Sequence, residues 1–164
     1  KGWDDLNVQE ICESANVGRS TFYMHYNSKD DLLSEGLNGL RMQLGNIPSH
    51  ANHDPKPLAF ISSLLQHMIE QRRIFKAVIG KRSGHIIERR FREMVHQLVL
   101  DDLSRPTHEG WQLQVASHYI AGALVDVMSW WLEESNAPTP EALEIMIRQF
   151  TDPALTNVKN LENT

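Results

Sequence analysis

The sequence contains a single cysteine, Cys12, in 164 residues, so a disulfide bond within the chain is excluded. Scarce cysteine is typical of proteins from reducing compartments, and we expect a cytoplasmic protein. Apolar runs are short. None reaches the roughly 20 residues that a transmembrane helix needs, so no membrane partner is expected.

The sequence also lacks the common catalytic motifs. It contains no Gly-rich phosphate loop, Ser/His/Asp grouping, paired catalytic carboxylates or clustered metal ligands. We therefore predict that the protein is not an enzyme and that it has neither a cofactor nor a metal. His50 and His53 lie close together, but no cysteine or carboxylate accompanies them at ligand spacing. An enzyme built on a helical bundle remains as a disfavoured alternative.

The stretch from residue 6 to residue 33 carries the pattern of two short helices joined by a tight turn. Asn7 can cap the first helix, and Glu10 occupies the capping-box position three residues later. Asn16 is suited to the left-handed conformation that ends a helix, and Gly18 can begin the next one. This order predicts a helix-turn-helix, in which the second helix is free to enter a major groove.

The predicted second helix runs from Arg19 to about His25 and has two faces. Phe22 and Tyr26 are four residues apart, so both are expected to face inward. Arg19 can donate a bidentate pair to guanine, and Lys29 lies at the next helix N-terminus, where the dipole favours a phosphate. The alternative is a small helical core with a solvated face. The predicted DNA contacts are Arg19, Ser20, Thr21, Tyr23, His25 and Lys29.

A resemblance to a known family is carried by residues 15–33, which read Ala-Asn-Val-Gly-Arg-Ser-Thr-Phe-Tyr-Met-His-Tyr-Asn-Ser-Lys-Asp-Asp-Leu-Leu. This run resembles the signature of TetR-type bacterial transcription regulators, roughly Ala-Gly-Val-Ser-Arg-Gly-Thr-Phe-Tyr-x-His-Phe-x-Ser-Lys-Glu-x-Leu-Leu. The resemblance implies an all-α homodimer: an N-terminal helix-turn-helix domain followed by a C-terminal helical bundle domain that binds an effector and dimerises. It also implies that three side chains contact the DNA backbone, namely Tyr23, His25 and Lys29.

Two positions depart from that signature. Asn16 replaces the usual glycine, which the left-handed turn tolerates. Gly18 replaces a serine or threonine that would cap the helix and contact a phosphate, so that contact is expected to be lost.

The charge of the N-terminal part is unusual for a DNA-binding domain. Residues 1–45 hold four basic and seven acidic side chains, a balance of −3. Either this part does not bind DNA, or a preceding helix that is missing from this sequence carries the basic residues. We favour the second interpretation, because Lys1, Gly2 and Trp3 resemble the last turn of such a helix.

A third helix is predicted from Lys29 to Leu44, and at about 24 Å it is long enough to connect two domains. Glycine and proline then mark a linker. The expected domains are residues 1–44 for DNA binding, with the first helix largely missing, residues 45–57 as a linker loop, and residues 58–164 for effector binding and dimerisation. The tail after Phe150 is polar and is expected to be frayed.

The helix predicted at residues 111–134 is apolar on nearly every side, so more than one of its faces must be buried. We expect a second copy of the chain to cover it, with the last helix completing a four-helix interface. Alternatively, the small residues at 121–123 only permit close packing within the chain. The predicted dimer contacts are Ile120, Leu124, Val127, Trp131 and Ile147.

The middle helices are expected to hold an effector pocket. Such pockets are lined by apolar and aromatic groups with a few polar ones, although each candidate here also suits the plain core. Residues 72–92 hold eight of the sixteen basic side chains, either as a second anion site or, as we favour, as a solvated face. The candidate pocket residues are Met68, Phe75, Phe91, Met94 and His118.

These observations predict a dimeric transcription regulator that binds double-stranded DNA at a palindromic operator. We expect a repressor that an unknown small molecule releases from DNA. The alternative is a related helical dimer that acts through a protein partner, as a co-activator or nucleoid factor. The acidic N-terminal segment favours that alternative slightly.

Overall fold

The computed structural model describes residues 3–46, 57–79, 85–104 and 110–161, and these residues form eight α-helices. No β-strand occurs in the described ranges, so the predicted all-α class is confirmed. The helices are α1 (Val8–Ala15), α2 (Arg19–His25), α3 (Lys29–Gly45), α4 (Phe60–Glu70), α5 (Arg72–Ile79), α6 (His85–Leu103), α7 (Trp111–Glu133) and α8 (Pro140–Leu161).

Local capping fixes the ends of the first two helices as the sequence predicts. The Asn7 side chain accepts the Glu10 N–H, and the Glu10 carboxylate accepts the Asn7 N–H, both at 3.0 Å. Asn16 is left-handed, with φ of 53°, and ends α1. Gly18 begins α2 without a side-chain cap. The turn geometry of the helix-turn-helix is therefore set by residues within it.

A small core holds α1 against α2. Cys12 and Phe22 are its buried side chains, and the Phe22 ring lies 5.5 Å from the Tyr26 ring. Val17, in the turn between the two helices, does not belong to this core, because 44% of it is exposed. The inward orientation predicted for Phe22 is confirmed, and α2 is anchored mainly through this ring.

The second half of α3 belongs to the main hydrophobic core. Leu37, Leu40 and Leu44 are buried in the same cluster as side chains of α4, α6 and α7. The helix that follows the helix-turn-helix therefore packs directly on the C-terminal bundle. A displacement of α6 would therefore also displace α3.

The bundle is organised around α7, which packs against α5, α6 and α8. Its buried residues follow one another along most of the helix, as expected for a nearly all-apolar sequence. The largest fully buried side chains of the bundle are Trp131, Phe91, Ile61, Leu64, Leu65, Met68, Ile87, Ile120, Leu124, Met128 and Leu132.

The predicted frayed tail after Phe150 is wrong. Helix α8 continues to Leu161 and includes Pro153. It continues because Thr151 and Leu155 are buried, and the Thr151 hydroxyl donates to the Ile147 carbonyl at 3.0 Å. Burial of this face outweighs the single backbone hydrogen bond that proline cannot donate.

Some of the predictions concern residues that the structure does not describe. His50, His53 and most of the predicted linker 45–57 lie outside the described residues, as do Lys1 and Gly2. Within the described ranges, no three His, Cys, Asp or Glu side chains are grouped as metal ligands. None of the helices described is long and apolar enough to cross a membrane.

Candidate nucleic-acid interface

Helix α2 presents its polar side chains away from the protein. Arg19, Ser20, Thr21 and His25 are exposed, and half of the Tyr23 surface is accessible. The inner side of the same helix is closed by Phe22. The structure therefore brings five of the six predicted DNA contacts onto one short exposed helix.

The ammonium group of Lys29, the sixth predicted contact, is hydrogen-bonded within the protein. Its Nζ donates to the carbonyl oxygens of Trp3, Asp4 and Leu6 at 2.9, 3.2 and 2.8 Å. An ammonium group has three N–H donors, and these bonds use all of them. In this conformation no donor is left for a phosphate, and the phosphate contact expected of Lys29 stays a prediction.

The same lysine also lies over an aromatic ring. Its Nζ is 5.8 Å from the centre of the Trp3 ring system, within the range of a cation–π interaction. The Trp3 indole N–H in turn donates to the Asp30 carboxylate at 3.1 Å. The residues before α1 are thus attached to the first turn of α3.

The bundle reaches this same turn through a residue that the sequence did not indicate. Arg90 of α6 donates from Nη1 to the Asp30 carbonyl at 2.9 Å and also to the Ser34 hydroxyl. Because the partners are 56 and 60 residues away in sequence, no local pattern could have revealed the contact. Arg90 links the C-terminal helices to the end of the helix-turn-helix.

Three other arginines of residues 72–92 make separate contacts. Arg72 donates to two carbonyl oxygens at the C-terminal end of α7, at 2.7 and 3.1 Å. Arg89 and Arg92 each pair with a glutamate one turn away on α6. This dispersal favours the solvated-face interpretation of the basic stretch over a second anion site.

The predicted effector residues do not form one group. Met68, Phe75, Phe91 and Met94 are buried in the core, where the Phe75 and Phe91 rings meet edge to face at 5.9 Å. His118, in contrast, is exposed. The effector pocket itself stays a prediction.

His118 instead stacks on a histidine of α6. The rings of His96 and His118 are 4.1 Å apart and nearly parallel, and the His96 Nε2 lies 3.1 Å from the Ser117 hydroxyl. Burial, followed by the proximity of His118, lowers the pKa of His96. His96 therefore stays neutral to a lower pH than a free imidazole does.

The predicted dimer contacts differ in how far they are exposed on a single chain. Ile120, Leu124, Trp131 and Ile147 are buried within the chain's own core, and only Val127 is partly accessible. Because these four side chains already pack inside one chain, they cannot form its outer surface. Among the described side chains of α7 and α8, the large exposed apolar ones are Trp111, Val115, Tyr119, Trp130, Ile145, Met146 and Phe150.

A shallow groove of about 230 Å³ lies between α7 and α8. Trp111, Val115 and Tyr119 line it from α7, and Ala154 lines it from α8. Its surface is almost entirely apolar. We call the set of seven exposed apolar side chains just named, together with this groove, the α7–α8 face.

Comparisons with known proteins agree with this architecture. A family model described as "Bacterial regulatory proteins, tetR family" matches residues 1–35, and one described as "Transcriptional regulator C-terminal region" matches residues 56–153. The chain is similar to the "Uncharacterized HTH-type transcriptional regulator YxbF" of Bacillus subtilis (strain 168), with 27% identity over 147 residues. This alignment covers 84% of the present chain and 37% of the relative, so the chain spans little more than a third of that protein. No solved structure gives a significant match. The two matched regions and the helix-turn-helix place this chain in the TetR family of bacterial transcription regulators.

Proposed function

We propose that the protein binds double-stranded DNA as a homodimer, with α2 of each copy in successive major grooves of a palindromic operator. The observation that supports this most directly is the orientation of α2. Phe22 anchors its inner side, and Arg19, Ser20 and Thr21 are exposed on the outer side. These are side chains that pair with guanine, phosphates and thymine methyl groups.

The α7–α8 face supports the homodimer. Large apolar patches on the surface of a protein usually mark a site of interaction. A second copy would bring the same two helices, and two helices from each copy form a four-helix interface. A symmetric dimer also matches the two-fold symmetry of a palindromic operator.

The packing of α3 supports the proposal that a small molecule controls DNA binding. Its first turn is bonded to Arg90, and its second half lies in the bundle core. A ligand that shifts α6 would therefore move the helix that carries α1 and α2, and so the spacing of the two DNA-reading helices. Since such coupling is reciprocal, operator DNA would weaken ligand binding by the same factor. This arrangement suits a repressor that its effector releases.

The alternative function, a helical dimer acting through a protein partner, rests on the acidic balance of residues 1–45. An electrophoretic mobility-shift assay on DNA upstream of the protein's own gene separates the two. A shift that is lost at high salt supports the regulator. The absence of any shift at physiological salt supports the protein partner instead.

The variant Arg19→Ala tests the regulator directly. We expect at least about a fivefold loss of affinity for upstream DNA, because a bidentate arginine–guanine contact contributes about 1–3 kcal/mol. The plot of log affinity against log salt should also become less steep. Fluorescence anisotropy between about 50 and 200 mM salt measures both quantities. Unchanged affinity and slope would contradict the assignment of α2.

The variant Arg90→Met tests the link between the bundle and the DNA-binding helices. We expect a three- to tenfold loss of DNA affinity with an unchanged salt slope, because Arg90 orients α3 without touching DNA. Arg89→Met is a matched control on the same helix, since Arg89 forms only an exposed ion pair with Glu93. Equal effects of the two variants would show that charge, rather than the bonds to α3, is responsible.

A further inference from the structure

The contacts of Lys29 join the two ends of the helix-turn-helix. The residues that supply its three carbonyl acceptors, Trp3, Asp4 and Leu6, precede α1. Lys29 itself is the first residue of α3. The chain between these points contains α1, the turn and α2 in full.

A second contact runs in parallel with the first. The Trp3 ring lies beneath the Lys29 ammonium group, and its indole N–H is bonded to the carboxylate of the next residue, Asp30. Two consecutive residues of α3 therefore hold the same tryptophan. Leu6 is followed by Asn7, the capping residue of α1, so Lys29 holds the residue directly before that cap.

This closure bears on the helix that faces DNA. Few buried side chains hold α1 and α2 together, chiefly Cys12 and Phe22, and the turn residue Val17 is exposed. Because this core is small, the angle of α2 depends on how the residues before α1 and the start of α3 are held together. The hydrogen bonds of Lys29 hold these two segments together.

We propose that Lys29 is a positioning residue for DNA binding: it sets the orientation of α1 and α2 relative to α3 and does not contact a phosphate. This role rests on the proposed DNA-binding function. It differs from the phosphate contact that the resemblance implies for this position. The ammonium group acts on DNA affinity through protein geometry alone.

The test compares Lys29→Met, Trp3→Phe and the double variant of the full chain. Methionine keeps the apolar stem and removes the donors, whereas phenylalanine keeps a ring and removes the indole N–H. We expect each single variant to lose about five- to twentyfold in affinity for upstream DNA, with an unchanged salt slope. The double variant should bind DNA only slightly less tightly than the weaker-binding single variant, because both substitutions disrupt the same contact. Lys76→Met on α5 removes an equal charge and should leave DNA affinity unchanged.

A phosphate contact and a purely stabilising role predict other results. If Lys29 bound a phosphate, Lys29→Met would lower the salt slope by about one for each subunit, and Trp3→Phe would be harmless. If Lys29 only stabilised the fold, the variants would lower the melting temperature and bind DNA normally while folded. Either result would overturn the proposal.

A measurement without DNA separates this proposal from the proposed function. In Lys29→Met, the Trp3 indole N–H should exchange with solvent at least fivefold faster by NMR. The Trp131 indole N–H, bonded to the Pro138 carbonyl at 2.8 Å, is an internal reference that should not change. Unchanged Trp3 exchange overturns the positioning role even if the wild-type protein binds DNA. Faster exchange supports the contact even if upstream DNA is not its partner.

Discussion

Replacing Val115 and Phe150 together by aspartate should convert the protein into a folded monomer that loses at least a hundredfold in DNA affinity. Both side chains belong to the α7–α8 face, with 57% and 72% of their surfaces exposed. Their replacement therefore leaves the chain's own core intact. In a dimer, the change would bury carboxylates without partners, which costs several kcal/mol for each ion.

The loss of DNA affinity follows from the loss of the dimer. A monomer can contact only one half-site, and the second α2 no longer contributes its contacts. Light scattering coupled to size exclusion gives the mass, and anisotropy on upstream DNA gives the affinity. Circular dichroism should show an unchanged helix content.

The matched control is Met42→Asp. Met42 is exposed to a similar degree, at 68%, but lies on α3 rather than on the α7–α8 face. This variant should remain dimeric. A dimeric Val115→Asp/Phe150→Asp variant would show that the copies associate through another surface, and the four-helix interface would then be abandoned.

The sequence predicted well what is decided locally. The capping box of α1, the left-handed residue that ends it and the start of α3 each depend on side chains within four residues. The structure contains all three. The inward turn of Phe22 was also predictable, because its four-residue spacing from Tyr26 places both rings on one side of a short helix.

The face of α7 could not be predicted for a definite physical reason. A helix that is apolar nearly all round has no strong periodicity to choose between two apolar faces. Ile120 and Tyr119 are adjacent and both apolar enough to be buried, yet only Ile120 is. The aliphatic side chain of Ile120 packs in the core, and the Tyr119 ring with its hydroxyl group is exposed to solvent.

The contacts of Lys29 and Arg90 could not be predicted from the sequence for another reason. A lysine at a helix N-terminus has the same local pattern whether its ammonium group meets a phosphate or a carbonyl. Its partners here lie 23 to 26 residues earlier in the chain. Only the packed arrangement of α1 and α3 decides between these outcomes, and the same holds for Arg90 and Asp30.

The largest effect on stability is expected at Trp131, near the end of α7. Its side chain is fully buried in the bundle core, and its indole N–H donates to the Pro138 carbonyl in the connection to α8. Trp131→Ala would open a large cavity and leave that carbonyl without its donor. Replacing a buried tryptophan by alanine costs about 3–5 kcal/mol of unfolding free energy.

The variant Trp131→Phe separates the two contributions. It keeps most of the ring volume and removes the donor, so it should cost about 1–3 kcal/mol, clearly less than alanine. Urea unfolding followed by circular dichroism measures both, at one fixed protein concentration because dimerisation also stabilises the folded state. If Trp131→Ala destabilised the protein by less than about 1 kcal/mol, the central position of Trp131 in the bundle would be contradicted. If phenylalanine and alanine cost the same, the bond to Pro138, and not the filled volume, would be what joins α7 to α8.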